Sequence, residues 1–396
     1  MLKNLLMVAL RNFKRDLGYS LLNVLGLTIG MTFSLFLIFY IKDELSFDLY
    51  NQQADRIYRV NSYIQEKDKN TDWTITQYPL APQMKKDFPE VEEAVRFNGM
   101  ERTLFRQGLN EHYETKAYYV DSNVFKIFTF HFLEGDANTA LNAPKDIVIS
   151  KTLAKKYFGN APAVGKTLST VYDLYRVTGV FEDIPQNAHL RYDMLISMST
   201  INKGGNDGNW GNFGWFTYIL LKPAARTTGV LQKLEDINKK YVATIFAQFN
   251  VKMHYGIEPI KDIHLHSNLE REPEELGSMS YIWIFSAVAF FMLLIACINY
   301  MNLTTARSAR RAKEIGIRKV TGSSRGQLIG QFLSESVLTA FIAVVLSFGL
   351  VILLFPLFNA LSGKSFSIAT LLQPFNILLV LAIGLFTGLV GGSYPA

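Results

Sequence analysis

Few residues of this chain have the types and spacing that chemistry demands, and each such group competes with a plain structural role. The most suggestive is Gly159-Asn-Ala-Pro-Ala-Val-Gly165-Lys166-Thr167. A phosphate-cradling loop puts four residues between its glycines, so that successive backbone N–H groups converge on one anion. Here five intervene, and one is Pro162, which has no N–H to give. The segment reads as a helix end and a turn into a strand, so no nucleotide site is expected on this chain. His264-Leu-His266 would put two imidazoles on one face of a strand, with His254 nearby in sequence. No cysteine accompanies them and no ligand spacing fits a metal centre. They read as strand-surface histidines, and no metal site is expected. The single cysteine, Cys297, lies in an apolar run and reads as a small buried hydrophobe. Asn206–Trp215 (NDGNWGNFGW) reads as a surface loop packed on its own rings. None of these groups supports catalysis by this chain.

The elements that must position any site are set by hydropathy. The chain has 396 residues, 49% of them hydrophobic, yet its mean hydropathy is only +0.12. That combination describes a few intensely apolar segments joined to an ordinary folded domain. Four stretches meet the length of roughly 20 apolar residues that a bilayer requires: 19–41, 281–303, 333–357 and the start of 371–396. Orientation follows from the basic residues. Lys3, Arg11, Lys14 and Arg15 precede the first span. Arg307, Arg310, Arg311, Lys313, Arg318, Lys319 and Arg325 follow the second. Only Asp16 and Glu314 oppose them, giving +9 and leaving −3 for the rest of a chain whose total is +6. The N-terminus and residues 304–332 are therefore expected in the cytoplasm, and 42–280 and the 358–370 loop outside. The basic excess is thus topological and makes no case for nucleic-acid binding. Residues 1–18 place Leu2, Leu5, Leu6, Ala9, Leu10 and Phe13 on one helical face, as an interfacial amphipathic helix on membrane lipid would.

Residues 42–280 alternate short strand patterns, Asp55–Tyr63 and Tyr175–Val180, with helical ones, Tyr78–Phe88 and Lys151–Phe158. The expected fold class is a membrane α-helical protein with four transmembrane helices and an α+β extracytoplasmic domain inserted between spans one and two. Glu270, Glu272, Glu274 and Glu275 make the approach to span two acidic. Inside the spans the polar residues are neutral. Asn23, Asn299 and Asn302 are candidates for interhelical hydrogen bonds. The absence of mid-span ionisable groups argues against a proton relay, so energy is expected to enter from elsewhere.

The most informative segment is Ala306–Gln331, ARSARRAKEIGIRKVTGSSRGQLIGQ. Glu314 lies four residues from both Arg310 and Arg318, which permits ion pairs along a helix. Gly316 is expected to interrupt that helix, and Gly322-Ser-Ser to end it in a turn. Asn299-Tyr-Met-Asn-Leu303, Arg311-Ala-Lys-Glu-Ile-Gly-Ile-Arg-Lys-Val-Thr-Gly322 and Gln331-Phe-Leu-Ser-Glu335 resemble the signature of ABC transporter permeases of the MacB/FtsX type, in which a variant of R-x-x-E-I-G-I-R-K-A-x-G-A follows the second span. Ile147–Ala154, Tyr157-Phe-Gly159, Val164-Gly-Lys166 and Val177–Val180 resemble that family's periplasmic core domain. Ala9-Leu-Arg-Asn12 and Asn23-Val-Leu-Gly-Leu27 fit as well.

The resemblance implies a plasma (inner) membrane permease subunit that dimerises, as a homo- or heterodimer. It implies an ABC ATPase partner, which carries ATP and Mg, and work done on substrate outside the membrane by mechanotransmission. A periplasmic adaptor or an envelope enzyme is a further implied partner. An FtsX-like regulator of a cell-envelope enzyme is the alternative function. Glu314, Gly316, Arg318, Lys319 and Gly322 match the family's ATPase-coupling segment. The departure is mild: Val320-Thr-Gly-Ser323 stands where Ala-hydrophobic-Gly-Ala is commoner. The family usually continues into a basic tail after span four. A stop at Ala396 fits a truncated protein or the first half of a duplicated permease.

Overall fold

The computed structural model describes residues 17–67, 69–201, 208–320 and 324–393; for 17, 307–315, 318 and 319 the description is of the backbone alone. After α1 (Leu17–Glu44) come β1 (Ile57–Gln65), β2 (Asn70–Trp73), β3 (Thr76–Gln77), α2 (Leu80–Asp87), β4 (Val91–Gly99), β5 (Thr103–Gln107), β6 (Asn110–Glu114), β7 (Ala117–Val120) and α3 (Val124–Ile127). The chain continues through β8 (Phe132–Gly135), β9 (Asp146–Ser150), α4 (Lys151–Phe158), β10 (Thr167–Ser169), β11 (Leu174–Phe181), β12 (Met194–Ser197) and β13 (Phe213–Leu221). Then follow α5 (Thr227–Ile237), α6 (Ala243–Ala247), β14 (Lys252–Pro259) and α7 (Ile260–His266). Four helices close the described chain: α8 (Met279–Val320), α9 (Arg325–Ser362), α10 (Ile368–Leu371) and α11 (Pro374–Ser393).

Glu44–Ser278 forms one compact unit, and α1 with the helices from Met279 onward forms the other. In the helical unit, Gly18–Glu44, Met279–Ala306, Arg325–Ser362 and Pro374–Ser393 are long and apolar enough to cross a bilayer. α11 packs on α9 through Gly384, Gly388 and Gly392, four residues apart and so on one face. A Cβ at Gly384 would lie 2.3 Å from a Val344 methyl, and one at Gly388 3.0 Å from the Val337 Cα. Between helices that gain nothing from hydrophobic exclusion, such close backbone approach supplies the dispersion contact. At Gly30 of α1, a Cβ would lie 2.6 Å from that of Ala296 on α8.

The outer unit is built on one mixed sheet in the order β14-β1-β13-β4-β7-β12-β9-β11-β10-β5-β6, with β2 on β1, β3 on β13 and β8 on β11. β7 with β12, and β9 with β11, pair parallel. β9 and β12 are buried at every residue, as strands covered on both faces must be. α2 and α5 close a core around Val60, Met84, Ile219 and Leu234. A second core gathers Phe97, Val148, Phe181 and Tyr218, and a third packs α4 on Phe105, Tyr175 and Val177.

The fold meets one of the sequence expectations and departs from two. The phosphate-loop mimic is the helix end and turn: Ser150 caps α4 by accepting from the Leu153 N–H, and Gly159 and Gly165 take φ of 65° and 86°. The 264–266 segment is helical, not a strand. Two residues apart on a helix point to nearly opposite sides, so His264 and His266 share no face. His254 stacks on Tyr63. Among the described residues no group of ligating side chains could hold a metal. Of the expected ring-packed loop at 206–215, residues 206 and 207 lie outside the described residues. The remaining rings pack on other elements: Trp210 stacks on Tyr241, Phe213 meets Trp73, and Trp215 meets Tyr78. Phe213 and Trp215 belong to β13, whose hydrogen bonds to β3 and β4 hold them in extended backbone.

Candidate functional site

The segment expected to couple to an ATPase begins on α8. This helix runs 42 residues without a break, so Gly316 does not interrupt it. A single glycine inside a helix costs only about 1 kcal/mol, and the strong helix formers around it carry the turn. Glu314, Arg318 and Lys319 lie on this helix, with their side chains outside the described residues, and Gly322 lies outside them altogether. Ser324 then caps α9 reciprocally with Gln327: Ser324 Oγ accepts from the Gln327 N–H at 3.4 Å, and Gln327 Oε1 accepts from the Ser324 N–H at 3.0 Å. The box satisfies two orphan donors and sets where α9 restarts. Near the tip of α8, Ile317 is 58% exposed and Val320 89% exposed. Three residues apart, they lie on one face.

Of the interhelical candidates, Asn23 is buried, whereas Asn299 and Asn302 are exposed on this chain. The Asn299 amide lies near Gly26, where a Cβ would be 3.2 Å from its Nδ2. Among the described residues, two serines not singled out in the sequence hydrogen-bond between helices. Ser34 Oγ donates to the Ala289 carbonyl at 3.1 Å, and Ser347 Oγ donates to the Thr28 carbonyl at 3.1 Å. At the end of α1, Lys42 Nζ donates to Asn376 Oδ1 at 2.7 Å, and Lys364 pairs with Asp43 at 2.6 Å.

The outer unit carries a set of ion pairs that sequence reasoning missed, all on the two connectors leading to membrane helices. The first connector follows α1. Glu44 Oε2 lies 2.9 Å from His264 Nε2, both groups 6% exposed. Phe47 stacks on the same imidazole. Asp48, at φ 61°, lies 2.9 Å from His189 Nδ1, and the other ring nitrogen of His189 lies 2.8 Å from Tyr218 Oη. Burial first, with Asp48 among the neighbouring charges, drives the Tyr218 phenol well above its ordinary range.

The second connector, between α7 and α8, is held by arginines. Arg59, wholly buried, donates to Glu272 at 2.6 and 2.7 Å, to Glu258 at 2.8 Å and to Ser267 at 3.1 Å. Burial opposes its charge, but the hydrogen bonds and charge of Glu272, with Glu258, outweigh it and hold the guanidinium above its usual pKa. Arg191 pairs with Glu274. Burial, then Glu274, pushes the Tyr118 phenol up to about 12. Arg271 lies over the Trp73 ring. The acidic approach to span two is therefore largely internal wiring: Glu272 and Glu274 answer arginines of the domain. The only sequence signal for these contacts was that acidic run. The partners lie up to 220 residues away, beyond any local pattern.

Comparison with known proteins places the chain. The model of the MacB-like periplasmic core domain matches residues 20–237, and that of the FtsX-like permease C-terminal domain matches 286–396. The chain belongs to the MacB/FtsX family of ABC transporter permeases, and is a membrane protein with a periplasmic core domain between its first two spans. It is 31% identical over 232 residues to the macrolide export ATP-binding/permease protein MacB of Escherichia coli, covering 57% of this chain and 33% of that protein. To the protein of the same name from Bdellovibrio bacteriovorus it is 24% identical over 254 residues, covering 63% and 36%. The chain thus spans about a third of the length of these relatives. Among solved structures, a domain of a permease protein from Porphyromonas gingivalis is 21% identical with a TM-score of 0.49, covering 59% of this chain and 98% of that one.

Proposed function

We propose that this chain is the permease subunit of an ABC transporter, in which a partner ATPase docks on the segment after the second span and drives the outer domain mechanically. The reading puts the N-terminus and residues 304–332 in the cytoplasm, as the basic residues indicate, and pairs two permease chains. ATP and Mg belong to the partner, and substrate is exported or extracted on the far side. The observation that carries it is the continuity of α8. The helix passes 14 residues beyond the membrane-crossing stretch ending at Ala306, about 21 Å at 1.5 Å per residue. A continuous helix carries a push at its tip into the membrane with no joint to absorb it. Ile317 and Val320 give that tip an exposed apolar contact, and Arg318 and Lys319 give it charge.

Docking is tested by copurification of the cognate ABC ATPase with the full chain. Burying Ile317 and Val320 in a partner is worth about 1.5–3 kcal/mol each. Ile317→Asp with Val320→Asp should therefore weaken ATPase retention at least about tenfold. Glu314→Arg with Arg318→Glu should lower the ATPase rate of the assembly. Unchanged retention and rate in both variants would refute the assignment.

A further inference from the structure

We propose that His264 is a positioning residue that yokes the two membrane connectors of the outer domain, so that movement of either flanking membrane helix reaches the domain through one joint. The proposal rests on the mechanical reading above and deepens it. Three contacts converge on this residue. Its Nε2 lies 2.9 Å from Oε2 of Glu44, the last residue of α1. Its backbone carbonyl accepts the N–H of Gly277, two residues before α8, at 2.9 Å. Its ring stacks on Phe47 of the first connector.

Gly277 is part of the joint. A Cβ there would lie 2.6 Å from Glu44 Oε2 and 2.6 Å from His264 Nε2, so a glycine lets the second connector cross the Glu44–His264 contact without displacing it. The yoke is anchored in the domain. α7 places Ile260 and Ile263, both fully buried, in the core with Ile57 and Leu220. Asp48–His189 holds the first connector further along, and Arg59–Glu272 and Arg191–Glu274 hold the second. A joint of buried, hydrogen-bonded polar side chains has few alternative arrangements, which is what force transmission needs.

The test uses the full chain with its ATPase in lipid nanodiscs, with distances measured between spin labels with and without ATP. Leu361→Cys with Trp283→Cys reports the membrane helices, and Leu361→Cys with Tyr172→Cys reports the outer domain against them; all three positions are exposed. Native Cys297, 2% exposed, does not compete for label. With His264 intact both pairs should shift on ATP binding. His264→Leu should leave the first shift in place and cut the second at least about twofold, as a freed hinge would. His264→Gln, which can still donate to Glu44, should restore it. Gly277→Val, which wedges the joint apart while leaving residue 264 a histidine, should mimic His264→Leu. A full second shift in both variants overturns the yoke. A changed distance between Tyr172→Cys and Phe249→Cys, within the domain, would show a role in folding alone and also overturn it. If the first pair never shifts with His264 intact, the mechanical reading itself fails.

Discussion

Replacing Arg59 by methionine tests how firmly the second connector is held. The guanidinium side chain is 0% exposed, and its partners Glu272 and Glu258 are 8% and 16% exposed. Arg59 sits on β1 directly opposite Glu258 of β14, so methionine fits the register but leaves two carboxylates facing an apolar side chain. Removing one partner of a buried pair costs about 3–5 kcal/mol, mostly because the other charge is stranded. For a domain of this size each kcal/mol lowers Tm by about 2–4 °C, so Arg59→Met should melt about 6–20 °C lower. Tryptophan fluorescence of the detergent-solubilised chain suits the measurement. Trp73, Trp210 and Trp215 lie in the outer unit, and Trp73 sits under Arg271 of the connector itself. The double variant Arg59→Met, Glu272→Leu should recover about half of the loss. It removes one stranded charge, while Glu258 keeps the 3.0 Å hydrogen bond from Asn61. A fall of less than about 3 °C in the single variant, or a double variant below the single, would refute the reasoning.

Two further tests address other parts of the molecule. Gly388→Leu should destabilise the packing of α11 on α9 by about 1–3 kcal/mol, seen as faster hydrogen exchange along α11, whereas Leu385→Val on the exposed side should change nothing. Asp193, held above its ordinary pKa chiefly by burial, binds its proton more tightly folded than unfolded. Its contribution is fully present below the unfolded pKa and lost as pH rises through the raised folded value. Asp193→Asn should therefore gain in Tm relative to the parent as pH rises across that window and level off above it, and a difference that stays flat with pH would exclude the effect.

Much of the architecture was legible because its causes are local. A bilayer accepts only long apolar helices, so 19–41 or 281–303 announce themselves. β1 and β11 show alternation, and α4 shows its serine cap and glycine end. The histidines at 264 and 266 read as strand residues because seven residues are too few for periodicity to separate helix from strand. The helix is decided by Ile260 and Ile263, which must both enter the core. Gly316 reads as a breaker for a related reason: propensity is a weak prior against a long helix already nucleated on both sides.

The amino-acid sequence by itself determined the four spans, the domain between the first two, and the basic segment after the second, because hydropathy and charge are sums over neighbouring residues. Only the tertiary structure decided which charges are free and which are spoken for. Glu272, Glu274 and Glu44 look like solvated carboxylates until β1, the 187–192 loop and α7 bring Arg59, Arg191 and His264 to them. Such pairing depends on sheet register and on contacts more than 200 residues apart in some cases, and no local pattern encodes it.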